Sequence, residues 1–161
     1  MSEVYLKKAK KTPETGTSET RKIVERMLSE IEIGKETIAK KYASDLDGFN
    51  GDIIVSQESI DNASKMVPEK LKDDIKFAHE RIKKFAEAQK QSISEFETEL
   101  SPGLWAGQKL IPIQTAGCYV PGGRYAHVAS AIMSITTARV AGVENIIACS
   151  APKGKDGPNP A

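Results

Sequence analysis

Residues 116–149 limit the fold more than any other part of the chain, because they predict a strand, a glycine loop, a helix and a second strand in that order. The strands are residues 118–120 and 146–149, and Gly142 suits the end of the helix between them. Strands joined by a crossover helix pair in parallel, and parallel sheets are normally covered by helices on both faces. The segment therefore predicts an α/β fold with the start of an incomplete Rossmann-like parallel sheet.

A helical region precedes this βαβ unit. Apolar residues recur at helical spacing from Ile23 to Tyr42, where Thr17 or Ser18 can cap the helix and Gly34 is a weak point. A second long helix is predicted from Pro68 to about residue 89, with one apolar face at Leu71, Ile75, Ala78, Ile82 and Phe85. We expect a helical N-terminal region over residues 1–92 and, over residues 93–161, a hairpin plus the first βαβ unit of a truncated α/β domain.

The segments between the helices carry weaker signals. Residues 45–48 predict a turn, residues 53–55 a short strand, and Ser56 the start of a short helix. Apolar and acidic residues alternate from Ile93 to Leu100, which predicts a half-exposed strand closed by a turn at residues 101–103. Residues 109–113 predict a second extended piece, in which Pro112 favours an edge position. We expect these two pieces to form a hairpin.

Composition and charge exclude several classes of protein. The 161 residues are 39% hydrophobic and 28% charged with a net charge of +1, which is typical of a globular domain and not of a nucleic-acid-binding one. The lysines at positions 7, 8, 10 and 11 are interpreted as a solvated arm. The chain shows neither a membrane-spanning apolar run nor a secretory signal, so we expect a cytoplasmic protein. Cys118 and Cys149 lie in predicted buried strands and are expected to be inert, reduced thiols.

Chemistry is expected at the glycine loop, residues 121–123. In α/β sheets the carboxyl ends of the strands face the ligand crevice, and a helix N-terminus offers unpaired N–H groups to anions. The loop lacks the G-x-G-x-x-G fingerprint, so its local chemistry leaves both cofactor binding and a plain tight turn open. Arg124, Tyr125 and His127 stand beside it and could hold an acidic group, or could be solvated surface residues.

Other polar groups are interpreted as structural. His79 has no metal-ligand partner three or four residues further along its helix, so we expect a rim histidine. Three acidic residues at period two, Glu95, Glu97 and Glu99, predict a solvated strand face rather than a catalytic carboxylate pair. No complete active site is predicted within these residues.

The glycine loop and the helix after it resemble the histidinol dehydrogenase family. That family carries Y-[VI]-P-G-G, then a helix with a Leu/Ile-Met pair, then A-[KR]-[VI]-A-G. The chain matches in order and spacing at Tyr119-Val120-Pro121-Gly122-Gly123, Ile132-Met133 and Ala138-Arg139-Val140-Ala141-Gly142. Residues 93–103 and 124–127 look more like the branch that oxidises sulfopropanediol, since histidinol-specific members usually carry small or apolar residues after the two glycines.

The resemblance implies a zinc-dependent enzyme that oxidises a primary alcohol through an aldehyde to a carboxylate, passing two hydrides in turn to two NAD molecules. The alcohol would be L-histidinol, giving L-histidine, or sulfopropanediol, giving sulfolactate. Tyr119 corresponds to a family contact with NAD. Together with the loop residues it makes the expected cofactor site, Tyr119, Pro121, Gly122 and Gly123, and the expected substrate contacts are Arg124 and His127.

The same resemblance implies a homodimer in which the partner subunit completes each site. The family's zinc ligands and its Glu-His catalytic pair belong to segments that follow the part matched here, so no catalytic or metal-binding residue is assigned. The chain is therefore expected to be an N-terminal fragment that is inactive alone. The alternative is a non-catalytic binding or assembly module, in which the helical region contacts a partner and the glycine loop is only a turn.

Overall fold

The computed structural model describes residues 18–122, 125–154 and 157–161. The chain divides into two compact units, residues 1–42 and residues 43–161. Some predicted features lie outside the described residues, namely the lysines at positions 7, 8, 10 and 11, the alternative helix cap Thr17, and the site residues Gly123 and Arg124.

The first unit is built on helix α1 (Ser18–Asp47), whose last turn belongs to the second unit. The helix is interrupted at Lys35, with φ 51° and ψ −135°, directly after Gly34. This interruption confirms the predicted weak point, because glycine has a low helix propensity. The hydroxyl of Tyr42 donates a 2.6 Å hydrogen bond to Oε2 of Glu30, which ties the two halves of the helix together across the kink.

The second unit begins with the end of α1 and helix α2 (Gln57–Met66). Because α1 continues through Asp47, the turn predicted over residues 45–48 begins only at Gly48, whose N–H donates to the carbonyl of Ser44 at 3.0 Å. The strand predicted at residues 53–55 is wrong, since these residues are exposed and pair with neither described sheet. Ser56 does start α2, and its side chain accepts a hydrogen bond from the N–H of Ser59.

Helix α3 (Glu69–Gln91) follows the predicted course from Pro68, which occupies the N-cap position. Four of the five residues on its predicted apolar face are half-buried, whereas Phe85 is 64% exposed and its neighbour Ala86 is buried instead. The helix packs against residues 132–141. Near its end, Nζ of Lys90 donates a 2.9 Å hydrogen bond to the carbonyl of Val140, which joins the two helical segments.

Strands β1 (Phe96–Ser101) and β2 (Leu104–Gln108) form an antiparallel hairpin. The turn is where the sequence predicts it, but the second strand follows it at once, and residues 109–113 are irregular. Pro112 cannot donate to a strand ladder, which accounts for that difference. The strand predicted within residues 93–100 is present, but all residues of both strands are exposed, so the apolar side expected to be covered is not.

The acidic residues of the hairpin are not simply solvated. Oε1 of Glu99 accepts the N–H of Gly103 at 2.8 Å, and Oε1 of Glu95 accepts the N–H of Leu110 at 2.9 Å. Two of the three carboxylates therefore fix backbone at the two ends of the hairpin, which corrects the prediction of a purely solvated face.

Strands β3 (Thr115–Val120) and β4 (Asn145–Ser150) form the predicted parallel pair, in continuous register from Thr115↔Asn145 to Val120↔Ser150. The crossover consists of α4 (Val128–Ala131), a π-helical turn (Ile132–Thr136) and α5 (Thr137–Ala141). Gly142 ends α5 with φ 97°, a conformation that glycine adopts without steric cost. The predicted fold class, a helical region followed by a parallel βαβ unit, is confirmed.

Few side chains are buried. Four of them lie on α3, on β3 and along the crossover, namely Ala86, Cys118, Thr136 and Val143, and a fifth, Val67, lies at the end of α2. Cys118 is buried as expected, but Cys149 is exposed, because it lies on the sheet face that the crossover does not cover. Among the described residues, no helix combines the length and apolar character that crossing a membrane would need.

Candidate functional site

The candidate site lies at the carboxyl ends of β3 and β4. The strands pair in parallel through Val120 and Ser150, so the chain leaves both strands at the same edge of the sheet. Residues 121–122 follow β3 and residues 151–154 follow β4. This is the edge at which open α/β sheets bind their ligands.

Gly122 is held against the end of the neighbouring strand. A Cβ built on Gly122 would lie closer than 3.0 Å to the carbonyl oxygen of Ala151 and 2.8 Å from Oγ of Ser150. A side chain at this position would therefore push the loop away from β4. The close backbone approach expected at this glycine is made to the protein itself, and contact with a cofactor stays a prediction.

Tyr119 is the predicted site residue that lies in a strand, and its side chain is accessible. It is the next-to-last residue of β3 and is 67% exposed, whereas its neighbours Cys118 and Val120 are buried and half-buried under the crossover. Alternation along the strand places its side chain on the opposite, uncovered face, next to that of Cys149. An aromatic ring with a hydroxyl is thus presented to solvent near the ligand-binding edge.

The residues before the crossover helix are exposed as well. His127 stands at the N-cap position, and its carbonyl accepts the N–H groups of Ser130 at 3.0 Å and Ala131 at 3.2 Å. Tyr125 is also exposed. Pro121, on the other side of the loop in the sequence, is half-buried.

The π-helical turn is a feature that the sequence analysis missed. Oγ of Ser134 donates to the carbonyl of Ser130 at 2.8 Å, and Oγ1 of Thr137 donates to the carbonyl of Met133 at 2.6 Å. Such side-chain bonds to the preceding turn bend helices, and π-turns often occur near functional sites. The run of Ser and Thr in this helix was the available signal. The run of Ser and Thr also means that Thr136, and not an apolar residue, is buried at this position of the helix.

In the part of the chain that the structure describes, no three His, Cys, Asp or Glu residues lie close enough together to hold a metal ion. His79 lies on α3 with Nδ1 3.5 Å from Oε1 of its neighbour Glu80, and Cys118 and Cys149 are free thiols. The described residues thus offer surfaces for an organic ligand but no set of zinc ligands.

Comparison with known proteins identifies relatives over nearly the whole chain. A family model for histidinol dehydrogenase matches residues 10–161. The chain is 53% identical over 161 residues to a histidinol dehydrogenase homolog of Pelagibacter ubique, which covers 99% of this chain and 38% of the relative. It is 50% identical over 157 residues to the sulfopropanediol 3-dehydrogenase of Ruegeria pomeroyi, which covers 98% of this chain and 36% of that enzyme.

A solved structure agrees with the fold. The crystal structure of histidinol dehydrogenase from Elizabethkingia anophelis superposes with a TM-score of 0.82 at 28% identity, over 92% of this chain and 34% of that one. The chain thus spans slightly more than a third of the length of these relatives.

Proposed function

The chain belongs to the histidinol dehydrogenase family, and we propose that it forms the cofactor-facing first part of an NAD-linked, zinc-dependent alcohol dehydrogenase. The relatives whose names state an activity are dehydrogenases. The proposed reaction oxidises a primary alcohol through an aldehyde to a carboxylate in two successive hydride transfers. Within this proposal the enzyme works in the cytoplasm as a homodimer, without a nucleic-acid or membrane partner.

The exposed ring of Tyr119 at the carboxyl end of β3 is the observation that carries the proposal. NAD, when bound, supplies the acceptor for the hydride. Tyr119 offers a ring for stacking and a hydroxyl for a hydrogen bond, next to the loop formed by Pro121, Gly122 and Gly123. The close approach of Gly122 to the carbonyl of Ala151 supports the same role indirectly, because it keeps the start of the loop at the edge of the sheet where Tyr119 is exposed.

Zinc does not fit the described residues of this chain, because they bring no ligand set together. The proposal places the zinc ligands and the Glu-His pair in the segments by which the relatives exceed this chain.

The substrate proposed is an anionic diol of the sulfopropanediol type, oxidised to sulfolactate. Identity to the sulfopropanediol 3-dehydrogenase is 50%, against 33–38% to three relatives named histidinol dehydrogenase and 28% to the solved one. Arg124 and His127 follow the glycine loop and could pair with a sulfonate through charge-assisted hydrogen bonds. L-Histidinol, giving L-histidine, is the alternative substrate.

A chimaeric enzyme tests the proposal. The 157-residue stretch of the Ruegeria enzyme that aligns with this chain is replaced by this chain, and NADH formation is followed with sulfopropanediol and with L-histidinol. We expect oxidation of sulfopropanediol to persist. Arg124→Ala should raise the KM for sulfopropanediol about tenfold, the loss expected for one charge-assisted hydrogen bond. Arg21→Ala, at an exposed arginine of α1 outside the family motifs, is the control and should leave the KM unchanged.

Two results would count against this assignment. A chimaera that oxidises only L-histidinol, or an Arg124→Ala variant with an unaltered KM for sulfopropanediol, would refute the substrate. A folded chimaera without activity on either alcohol would favour the non-catalytic assembly module.

A further inference from the structure

The two halves of the crossover helix pack against different elements. The π-helical turn and α5 pack against α3, and Nζ of Lys90 donates to the carbonyl of Val140 at 2.9 Å. The first turn, α4, packs against β3. The π-turn therefore lies between a part of the helix that α3 holds in place and a part that begins beside the glycine loop.

The π-turn affects the direction in which α4 faces. Each backbone hydrogen bond of a π-turn spans five residues rather than the four of an α-helix, so the turn adds one residue to the helix. One residue corresponds to about 100° of rotation in an α-helix. The orientation of α4 and of the residues just before it therefore depends on whether Ile132–Thr136 keep the π conformation.

Two hydroxyl groups bridge the junctions of the π-turn. Ser134, half-buried within the turn, donates from Oγ to the carbonyl of Ser130 in α4 at 2.8 Å. Thr137, the first residue of α5, donates from Oγ1 to the carbonyl of Met133 in the turn at 2.6 Å, and its N–H donates to the carbonyl of Ser134. Each hydroxyl thus joins the π-turn to one of the two α-helical segments beside it.

The hydrogen bond from Ser134 leads on to His127. The peptide group between Ser130 and Ala131 makes both contacts, because its carbonyl accepts Oγ of Ser134 and its N–H donates to the carbonyl of His127 at 3.2 Å. The N–H of Ser130 donates to the same carbonyl at 3.0 Å. A peptide group is planar and rigid, so a shift of its carbonyl also shifts the N–H that binds His127.

We propose that Ser134 is a positioning residue that orients His127 for contact with the substrate. This inference rests on the proposed function, in which His127 is one of two substrate contacts. His127 is exposed and occupies the N-cap position without a capping bond from its own side chain. The hydrogen bonds to its carbonyl therefore help to place it, and Ser134 acts through them without touching the substrate.

Kinetics of the chimaeric enzyme test this role. Ser134→Ala removes the hydroxyl, and the KM for sulfopropanediol should rise about threefold to tenfold, the range for one hydrogen bond, with kcat unchanged. Ser134→Thr keeps a hydroxyl and should recover most of the affinity. Ser92→Ala is the matched control, because Oγ of Ser92 also donates to a helix carbonyl, that of Gln89 at 2.7 Å, but at the end of α3. The control should leave the KM unchanged.

A double-mutant cycle separates positioning from a general loss of structure. His127→Ala should itself raise the KM, and adding Ser134→Ala should then have no further effect, because the residue that Ser134 positions is gone. In the ligand-free chimaera, the amides of Ser130 and Ala131 should exchange with solvent about threefold to tenfold faster in Ser134→Ala. If circular dichroism shows that Ser134→Ala is unfolded, Ser134→Cys is measured instead, because a thiol is only a weak donor.

Several outcomes would overturn the positioning role. These are an unchanged KM in Ser134→Ala, the same increase in KM with and without the His127 side chain, an equal increase from Ser92→Ala, and unaltered exchange of the Ser130 and Ala131 amides. The proposed function fails separately, through a folded chimaera that oxidises neither alcohol or a KM that His127→Ala does not change. An effect of His127→Ala without one of Ser134→Ala contradicts the positioning role alone.

Discussion

Replacing Gly122 by alanine should destabilise the second unit by about 1–3 kcal/mol, the usual cost of forcing an added methyl group into a packed site. The new Cβ would meet the carbonyl oxygen of Ala151 at less than 3.0 Å and Oγ of Ser150 at 2.8 Å. Ordinary contact begins near 3.4 Å, so the loop must retreat by well over half an ångström. The nearest atom belongs to the backbone, which cannot rotate away as a side chain can.

Urea denaturation followed by circular dichroism measures this loss. Gly117→Ala is the matched control, because it lies in β3, the strand that leads into the loop, and a Cβ there meets nothing within 4 Å. The control should be neutral or raise the free energy of unfolding by up to about 1 kcal/mol, since alanine reduces the entropy of the unfolded chain. Equal free energies of unfolding for the Gly122 and Gly117 variants would refute the reasoning that the loop is packed against β4.

Two further predictions concern α3. Lys90→Met removes the hydrogen bond to the carbonyl of Val140 and should lower the free energy of unfolding by about 1 kcal/mol. Lys84→Met, on an exposed part of the same helix, should leave it unchanged. Equal urea midpoints for the two variants would contradict this. The hydrogen bond from Lys72, and then the charge of Lys72, lower the pKa of Glu69 below its usual value. This pair therefore stabilises the fold at neutral pH, and its contribution is lost as pH falls through that lowered pKa. NMR titration of Glu69 should show a higher midpoint in Lys72→Met, and an unchanged midpoint would argue against the pair.

Local signals predicted the elements whose formation depends on their own residues. Periodic apolar spacing predicted α1 and α3, and Gly34 and Gly142 marked the kink and the helix end where the structure has them. The parallel pair followed from two short apolar runs separated by a helix-length segment. These features need little information from the rest of the chain.

The predictions that failed depend on neighbours in space. Residues 53–55 have strand-forming side chains but find no strand to pair with in the described structure. In the hairpin, the register set by the turn placed β2 at Leu104–Gln108 rather than at residues 109–113. Cys149 is exposed because of which sheet face is covered, a property that its own apolar run does not encode.

The position of the glycine loop in the fold was predictable, whereas its role as a cofactor site stays a prediction. The order of strand, glycine loop and helix located it, and the structure brings Tyr119, Gly122 and His127 to the same end of the sheet. The specific reason for Gly122, contact with the end of β4, required coordinates. The π-turn also escaped prediction, since the spacing of apolar residues on a π-turn differs little from that of an α-helix over one turn.

The KM for NAD of the chimaeric enzyme with Tyr119 altered tests the central claim most directly. Tyr119→Ala should raise that KM about tenfold or more, the loss expected when a ring of the cofactor no longer stacks on an aromatic side chain, and Tyr119→Phe, which keeps the ring, should recover most of the affinity. A folded Tyr119→Ala chimaera that binds NAD as tightly as the unaltered chimaera would contradict the placement of the cofactor at the carboxyl end of β3.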